Sequence, residues 1–117
     1  MRLLIVEDSK AMRELLRELL ADMAETIREC EGGAGALAAY RGTLPDWVLM
    51  DIRTKEVDGI TATRQIKAAF PEARVVIVTD YDDADLRQAA RDAGAAGYVL
   101  KENLPDIREI LLSPKHA

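Results

Sequence analysis

Five residues with reactive side chains follow short apolar runs in this sequence. Glu7 and Asp8 come directly after Arg2–Val6, Asp51 closes Trp47–Asp51, Thr79 follows Arg74–Val78, and Lys101 follows Gly97–Leu100. Runs of this length and β-branched content predict strands. In open α/β sheets, ligands bind beyond the carboxyl ends of the strands. Three acids, a hydroxyl and an ammonium are therefore expected along one edge of one sheet.

Their chemistry is complementary. Clustered carboxylates repel one another unless a cation sits among them. Oxygen donors of this kind suit Mg²⁺, which takes one or two carboxylates together with water and phosphate oxygens. An aspartate attacking an anionic phosphoryl group needs its charge offset, which a metal and a lysine would do. Thr79 can donate a hydrogen bond to a phosphoryl oxygen. Each residue also has a plain structural reading: Asp51 as a turn cap, Asp8 as a partner of a helix dipole, Thr79 as an ordinary strand-end residue. What the single readings leave unexplained is that all five fall at the same end of their strands.

The elements that must position them alternate. After the first strand, Ser9 is a good N-cap. The helix that follows places Met12, Leu15, Leu16, Leu19, Leu20 and Met23 on one apolar stripe, with Lys10, Arg13, Glu14, Arg17 and Glu18 expected to face water. Thr26–Cys30 reads as a more polar, edge-type strand. Gly32-Gly33 leads into a helix through Ala36, Leu37 and Tyr40, and Asp58-Gly59 into one carrying Ile60, Thr63, Ile66 and Lys67, which Pro71 ends. Asp82 and Asp83 open a helix closed by Gly94 at a C′ position, and Leu104–Leu112 forms the last, stopped by Ser113-Pro114. Strands apolar on both faces belong inside a parallel sheet covered by helices. Five βα units predict a single, doubly wound α/β domain.

Composition bounds the function. The chain has 117 residues, 49% hydrophobic and only 4% aromatic, so the core is aliphatic. A net charge of −5 argues against nucleic-acid binding through a basic face. The longest apolar runs are strand-length, far short of a membrane span, and no signal-peptide pattern precedes the first strand. The single cysteine, Cys30, cannot form an internal disulfide and fits a reducing cytoplasm; it reads as a small buried apolar residue. Trp47 reads as core packing, and His116 falls in a tail where a catalytic role is not expected.

The stretches LLIVEDSKAMR, DWVLMDIRTKEVDGITATRQI, VVIVTDY and GAAGYVLKE, in this order and at these strand ends, resemble the receiver domains of two-component response regulators over essentially the whole chain. The second half is most similar to receivers that precede a helix-turn-helix output domain. The resemblance implies a flavodoxin-like receiver fold with a five-stranded parallel sheet in the order 2-1-3-4-5 and five helices. It implies that Asp51 accepts a phosphoryl group from a sensor histidine kinase or phosphotransfer protein. Mg²⁺ would be held by Asp8, by Glu7 through water, by Asp51 and by the backbone carbonyl of Arg53. Thr79 and Lys101 would contact the acyl phosphate. Tyr98 would be the switch aromatic, turning inward as Thr79 moves. The surface of the fourth helix, fifth strand and fifth helix would then change for a downstream protein or an output domain, with dimerisation on phosphorylation a further expectation. Such a chain is a signalling phosphoacceptor that promotes its own phosphotransfer and dephosphorylation, not an enzyme acting on a separate substrate.

The sequence departs from the family pattern in three places. The loop after Arg53 is Thr54-Lys55-Glu56, without the usual proline, and is expected to be less constrained. Asp80 replaces a small residue; its carboxylate either faces the site and opposes phosphate entry, or joins Asp82, Asp83 and Asp85 near a helix N-terminus. Glu102 follows the lysine where many relatives have proline. Arg53 and Tyr81 occupy variable flanking positions and, with Asp80, are expected to tune rates. Asp80 and the altered loop also motivate an alternative, a receiver-like interaction module that signals without phosphate. A haloacid-dehalogenase-type phosphatase is disfavoured because Arg53 stands where its second aspartate would be, and a flavodoxin because the first loop is acidic. The chain reads as residues 1–117 of one receiver without an output domain, and the Met1 start and Ser113-Pro114 stop are expected to mark a stand-alone unit.

Overall fold

The computed structural model describes residues 1–54 and 56–113. The expectations for Lys55, Pro114 and His116 lie outside the described residues.

Five parallel strands, β1 (Arg2–Val6), β2 (Thr26–Cys30), β3 (Trp47–Met50), β4 (Val75–Thr79) and β5 (Gly97–Leu100), form one sheet in the order β2-β1-β3-β4-β5. Helices α1 (Lys10–Leu20), α2 (Ala36–Thr43), α3 (Gly59–Ala69) and α4 (Ala84–Asp92) connect them, and α5 (Asp106–Leu112) follows β5. The period-two geometry of a strand divides the core into two layers. Leu4, Val6, Val48, Met50, Val75 and Ile77 pack against α2, α3 and α4 through Tyr40, Ile60, Ile66 and Ala90. Leu3, Ile5, Leu49, Val76, Val78 and Val99 pack against α1 and α5 through Leu16, Leu20, Ile107 and Leu111. Both faces of β1, β3 and β4 are thus used, whereas β2 at the edge exposes Thr26, Arg28 and Glu29.

Helix starts follow the capping residues. The side chains of Ser9, Asp58 and Asp83 accept from the N–H groups of Met12, Thr61 and Leu86. Gly94 follows α4 with φ +99°, a left-handed position suited to glycine.

Some boundaries shift. β3 ends at Met50, leaving Asp51 just beyond it, and β4 runs from Val75 through Thr79. The last helix begins at Asp106 and not Leu104; a 3-10 turn, Lys101–Asn103, and Pro105 at the cap position precede it, since proline has no N–H to give. Core packing does not account for every leucine of α1. Leu16 and Leu20 are buried, but Leu15, about 100° around the helix from Leu16, is 50% exposed. The apolar stripe is wider than the face that the sheet and α5 cover.

Gly59 opens α3 against the back of Asp51. A Cβ there would overlap the Asp51 carbonyl oxygen and come within 2.7 Å of its carbon. Gly59→Ala is expected to cost about 2 to 3 kcal/mol, read as a lower midpoint in urea denaturation; an unchanged midpoint would contradict this close approach.

Candidate acidic site at the carboxyl edge of the sheet

The strand ends deliver the expected residues to one cleft of about 450 Å³, lined by Glu7, Asp8, Ser9, Asp51, Arg53, Thr54, Asp80 and Lys101. One carboxylate oxygen from each of Glu7, Asp8 and Asp51 lies within 4.8 Å of the other two. Glu7 and Asp51 are almost fully buried, while Asp8 is exposed. Lys101 answers this charge. Its Nζ is 2.9 Å from Glu7 Oε1 and 3.4 Å from Asp51 Oδ2. The Ser9 N–H donates to Glu7 Oε2 at 3.0 Å, and the Arg53 N–H reaches Asp51 Oδ1 at 3.4 Å.

Burial is the largest influence on Glu7 and, with repulsion from Asp51, raises its pKa above the ordinary carboxylate value despite the bonds from Lys101 and Ser9. Burial also acts against the Lys101 ammonium. The hydrogen bond to Glu7 and the charges of Asp51 and Glu7 together outweigh it, so its pKa is raised. The site therefore holds a well-retained cation among acids that are crowded. Three hard oxygen donors in this arrangement fit a Mg²⁺ ion, and no softer ligand is among them.

Thr79 and Asp80 sit differently from each other. Thr79 is fully buried, outside the cleft lining, and its hydroxyl accepts from the Tyr81 N–H at 3.3 Å. Asp80 lines the cleft. Asp83 is the cap of α4, and Asp82 pairs with Arg87. Tyr98 is half-buried, with its hydroxyl donating to the Tyr81 carbonyl at 2.7 Å and the Arg87 guanidinium 4.5 Å from its ring centre. Arg53 donates to the Tyr81 hydroxyl and lies 5.8 Å from that ring centre, so the two flanking residues touch each other.

Thr54, the first residue after Arg53, is tied, where the missing proline predicted less constraint. The Thr54 hydroxyl donates to the Val57 carbonyl and accepts from the Gly33 N–H at 2.9 Å. Gly33 permits this, since a Cβ would overlap the Val57 carbonyl oxygen. A side chain thus takes over part of the restraint that a proline would impose. Sequence reasoning also missed Arg13. It does not face water: its side chain is 12% exposed and donates to the Glu7 and Asp8 carbonyls and to Glu29. The available signal was a long cationic side chain one turn into a helix, whose Cα–Cβ bonds tilt back towards the preceding loop. Cys30 is half-buried, packs against the core and donates to the Gly32 carbonyl; Trp47 is buried, with Arg74 over its ring.

The response regulator receiver domain family matches residues 3–112. The chain is 39% identical over 100 residues to the chemotaxis protein CheY of Halobacterium salinarum, covering 86% of this chain and 83% of that one. It is 35% identical over 108 residues to the uncharacterized transcriptional regulatory protein YhcZ of Bacillus subtilis, covering 91% of this chain and 50% of the relative, so it spans about half of that protein. A LuxR-family two-component response regulator from an Aurantimonas species superposes with a TM-score of 0.86 at 32% identity, over 92% of this chain and 79% of that one. The chain matched in the CheX-CheY-BeF3-Mg+2 complex from Borrelia burgdorferi shares the fold at a TM-score of 0.88 and 23% identity, over 95% and 86% of the two chains.

Asp8→Asn removes one of three crowded charges. It is expected to stabilise the metal-free protein near pH 7 by about 0.5 to 1 kcal/mol, and, if the acidic cluster binds Mg²⁺, to abolish the stabilisation by that ion. Glu7 sets a separate pH dependence: its raised folded pKa favours the folded state at low pH, so the metal-free stability of both proteins should fall as pH rises through that pKa. Thermal melts across that range check this, and a destabilised variant at pH 7 would contradict it.

Proposed function

The chain belongs to the response regulator receiver family, the phospho-accepting domains of two-component signalling, and from that premise we propose that Asp51 is its phosphoacceptor. One observation carries the assignment: the Asp51 carboxylate stands just beyond a central strand, clustered with the acidic pair and 3.4 Å from the Lys101 ammonium, in the same cleft. The donor is the phosphohistidine of a sensor kinase or phosphotransfer protein. An Asp51 oxygen attacks phosphorus, the P–N bond breaks, the imidazole leaves with the electron pair, and an acyl phosphate remains.

Glu7, Asp8, Asp51 and the Arg53 carbonyl would hold Mg²⁺, whose chemistry is to neutralise charge on the phosphoryl oxygens. Lys101, already hydrogen-bonded to Asp51, is placed to transfer that bond to a phosphoryl oxygen. Thr79 would turn its hydroxyl from the Tyr81 N–H to the phosphoryl group. Because Tyr98 is bonded to the carbonyl of the same Tyr81, that movement alters the support of Tyr98 and biases the surface of α4, β5 and α5. Partners on that surface are a downstream protein or a helix-turn-helix output domain. A cytoplasmic location belongs to the same reading; among the described residues no helix is long and apolar enough to cross a membrane. Signalling without phosphate is not favoured, since the acids and the lysine are brought together.

Asp51→Asn is expected to abolish acid-labile phosphoryl incorporation from a small phosphodonor with Mg²⁺; undiminished labelling would contradict the assignment. Replacing both Arg53 and Tyr81 with alanine, which removes their contact beside the cleft, should speed loss of the acyl phosphate several-fold, equivalent to about 1 kcal/mol of barrier. An unchanged decay rate would remove these two residues from rate control.

A further inference from the structure

We propose that Arg13 is the positioning residue of the acidic pair, a role that rests on reading Glu7 and Asp8 as metal ligands. In an extended strand, successive side chains point to opposite faces. Glu7 and Asp8 follow β1 directly, yet their carboxylates reach the same cluster with Asp51. The backbone must turn at this point. Nη1 of Arg13 donates to the Glu7 carbonyl at 2.9 Å and to the Asp8 carbonyl at 3.1 Å, so one nitrogen draws two successive carbonyls to the same side.

Arg13 is itself held. Its Nε donates to Glu29 Oε1 at 2.6 Å, and the other Glu29 oxygen accepts from Arg17, whose Nη2 donates to the Ile27 carbonyl at 3.0 Å. The hydrogen bonds from Arg17 and Arg13 keep the Glu29 carboxyl below its ordinary pKa. The Glu7 N–H, in turn, donates to the Cys30 carbonyl at 2.9 Å. The turn carrying the acids is thereby fixed between α1 and β2 by contacts that lie outside the cleft. A lysine retains the charge but lacks the planar fork that can serve Glu29 and two carbonyls together.

A purely electrostatic role makes the opposite prediction. If Arg13 only contributed positive charge near the site, removing it would strengthen cation binding. If it positions the pair, losing the fork weakens binding even when the charge is kept. Groups that orient metal ligands are worth about 10- to 100-fold in affinity.

The test is isothermal titration of the full chain with Mg²⁺, together with amide hydrogen exchange at Ser9, whose N–H is bonded to Glu7. Arg13→Lys and Arg13→Met are each expected to weaken Mg²⁺ binding about tenfold or more and to speed Ser9 exchange without metal. Glu29→Gln should have a smaller effect of the same sign. Thermal melts establish folding, and if Arg13→Met does not fold, Arg13→Lys and Glu29→Gln decide. Wild-type affinity, or tighter binding, in folded Arg13→Lys would overturn the proposal and leave the metal reading intact. A wild type that binds no Mg²⁺ would overturn the metal reading; unchanged Ser9 exchange in Arg13→Lys would then overturn the clamp as well.

Discussion

Crowding of negative charge at one edge of the sheet is the constraint on which the rest of the molecule depends. One oxygen from each of three carboxylates lies within 4.8 Å of the other two, and Asp80 lines the same cleft. Such a cluster persists only when cations are placed against it. Lys101 does this directly, from the end of β5, against Glu7 and Asp51.

The fold supplies the rigidity that this arrangement requires. β1, β3 and β4 are buried on both faces, so the ends from which Glu7, Asp51 and Thr79 emerge are set by aliphatic packing in two layers. Close backbone approaches finish the placement: Gly59 lets α3 start against Asp51, and Gly33 lets Thr54 tie down the neighbouring loop. Tyr81 connects the site to the outer surface. Its N–H holds Thr79, its carbonyl receives Tyr98 and its hydroxyl receives Arg53. A change at Thr79 therefore has a short covalent and hydrogen-bonded route to β5.

Much of this was legible in the sequence because strand periodicity and apolar runs report on burial directly. The bounds of β1, β2 and β5 follow from their residues, and the reactive residues fall at the carboxyl ends of β1, β3, β4 and β5. What was not legible depends on side-chain direction. A stripe of leucines does not reveal that Leu15 lies outside the covered face. A charged residue on the polar side of α1 reads as solvated, although Arg13 folds back onto the Glu7–Asp8 turn. The absence of proline after Arg53 suggested freedom, but the compensating bonds of Thr54 depend on Gly33, 21 residues away in sequence. That Asp80 lines the cleft could be read only once the β4–α4 segment had a path.

The central claim is that the phosphoryl group resides on Asp51. The most direct measurement treats the protein with a small phosphodonor and Mg²⁺, traps the acyl phosphate by borohydride reduction, and maps the converted residue by peptide mass spectrometry. Conversion of Asp51 to homoserine is the expected result. Conversion at Asp8 or another acid, or none under conditions where the protein is folded and binds Mg²⁺, would contradict it.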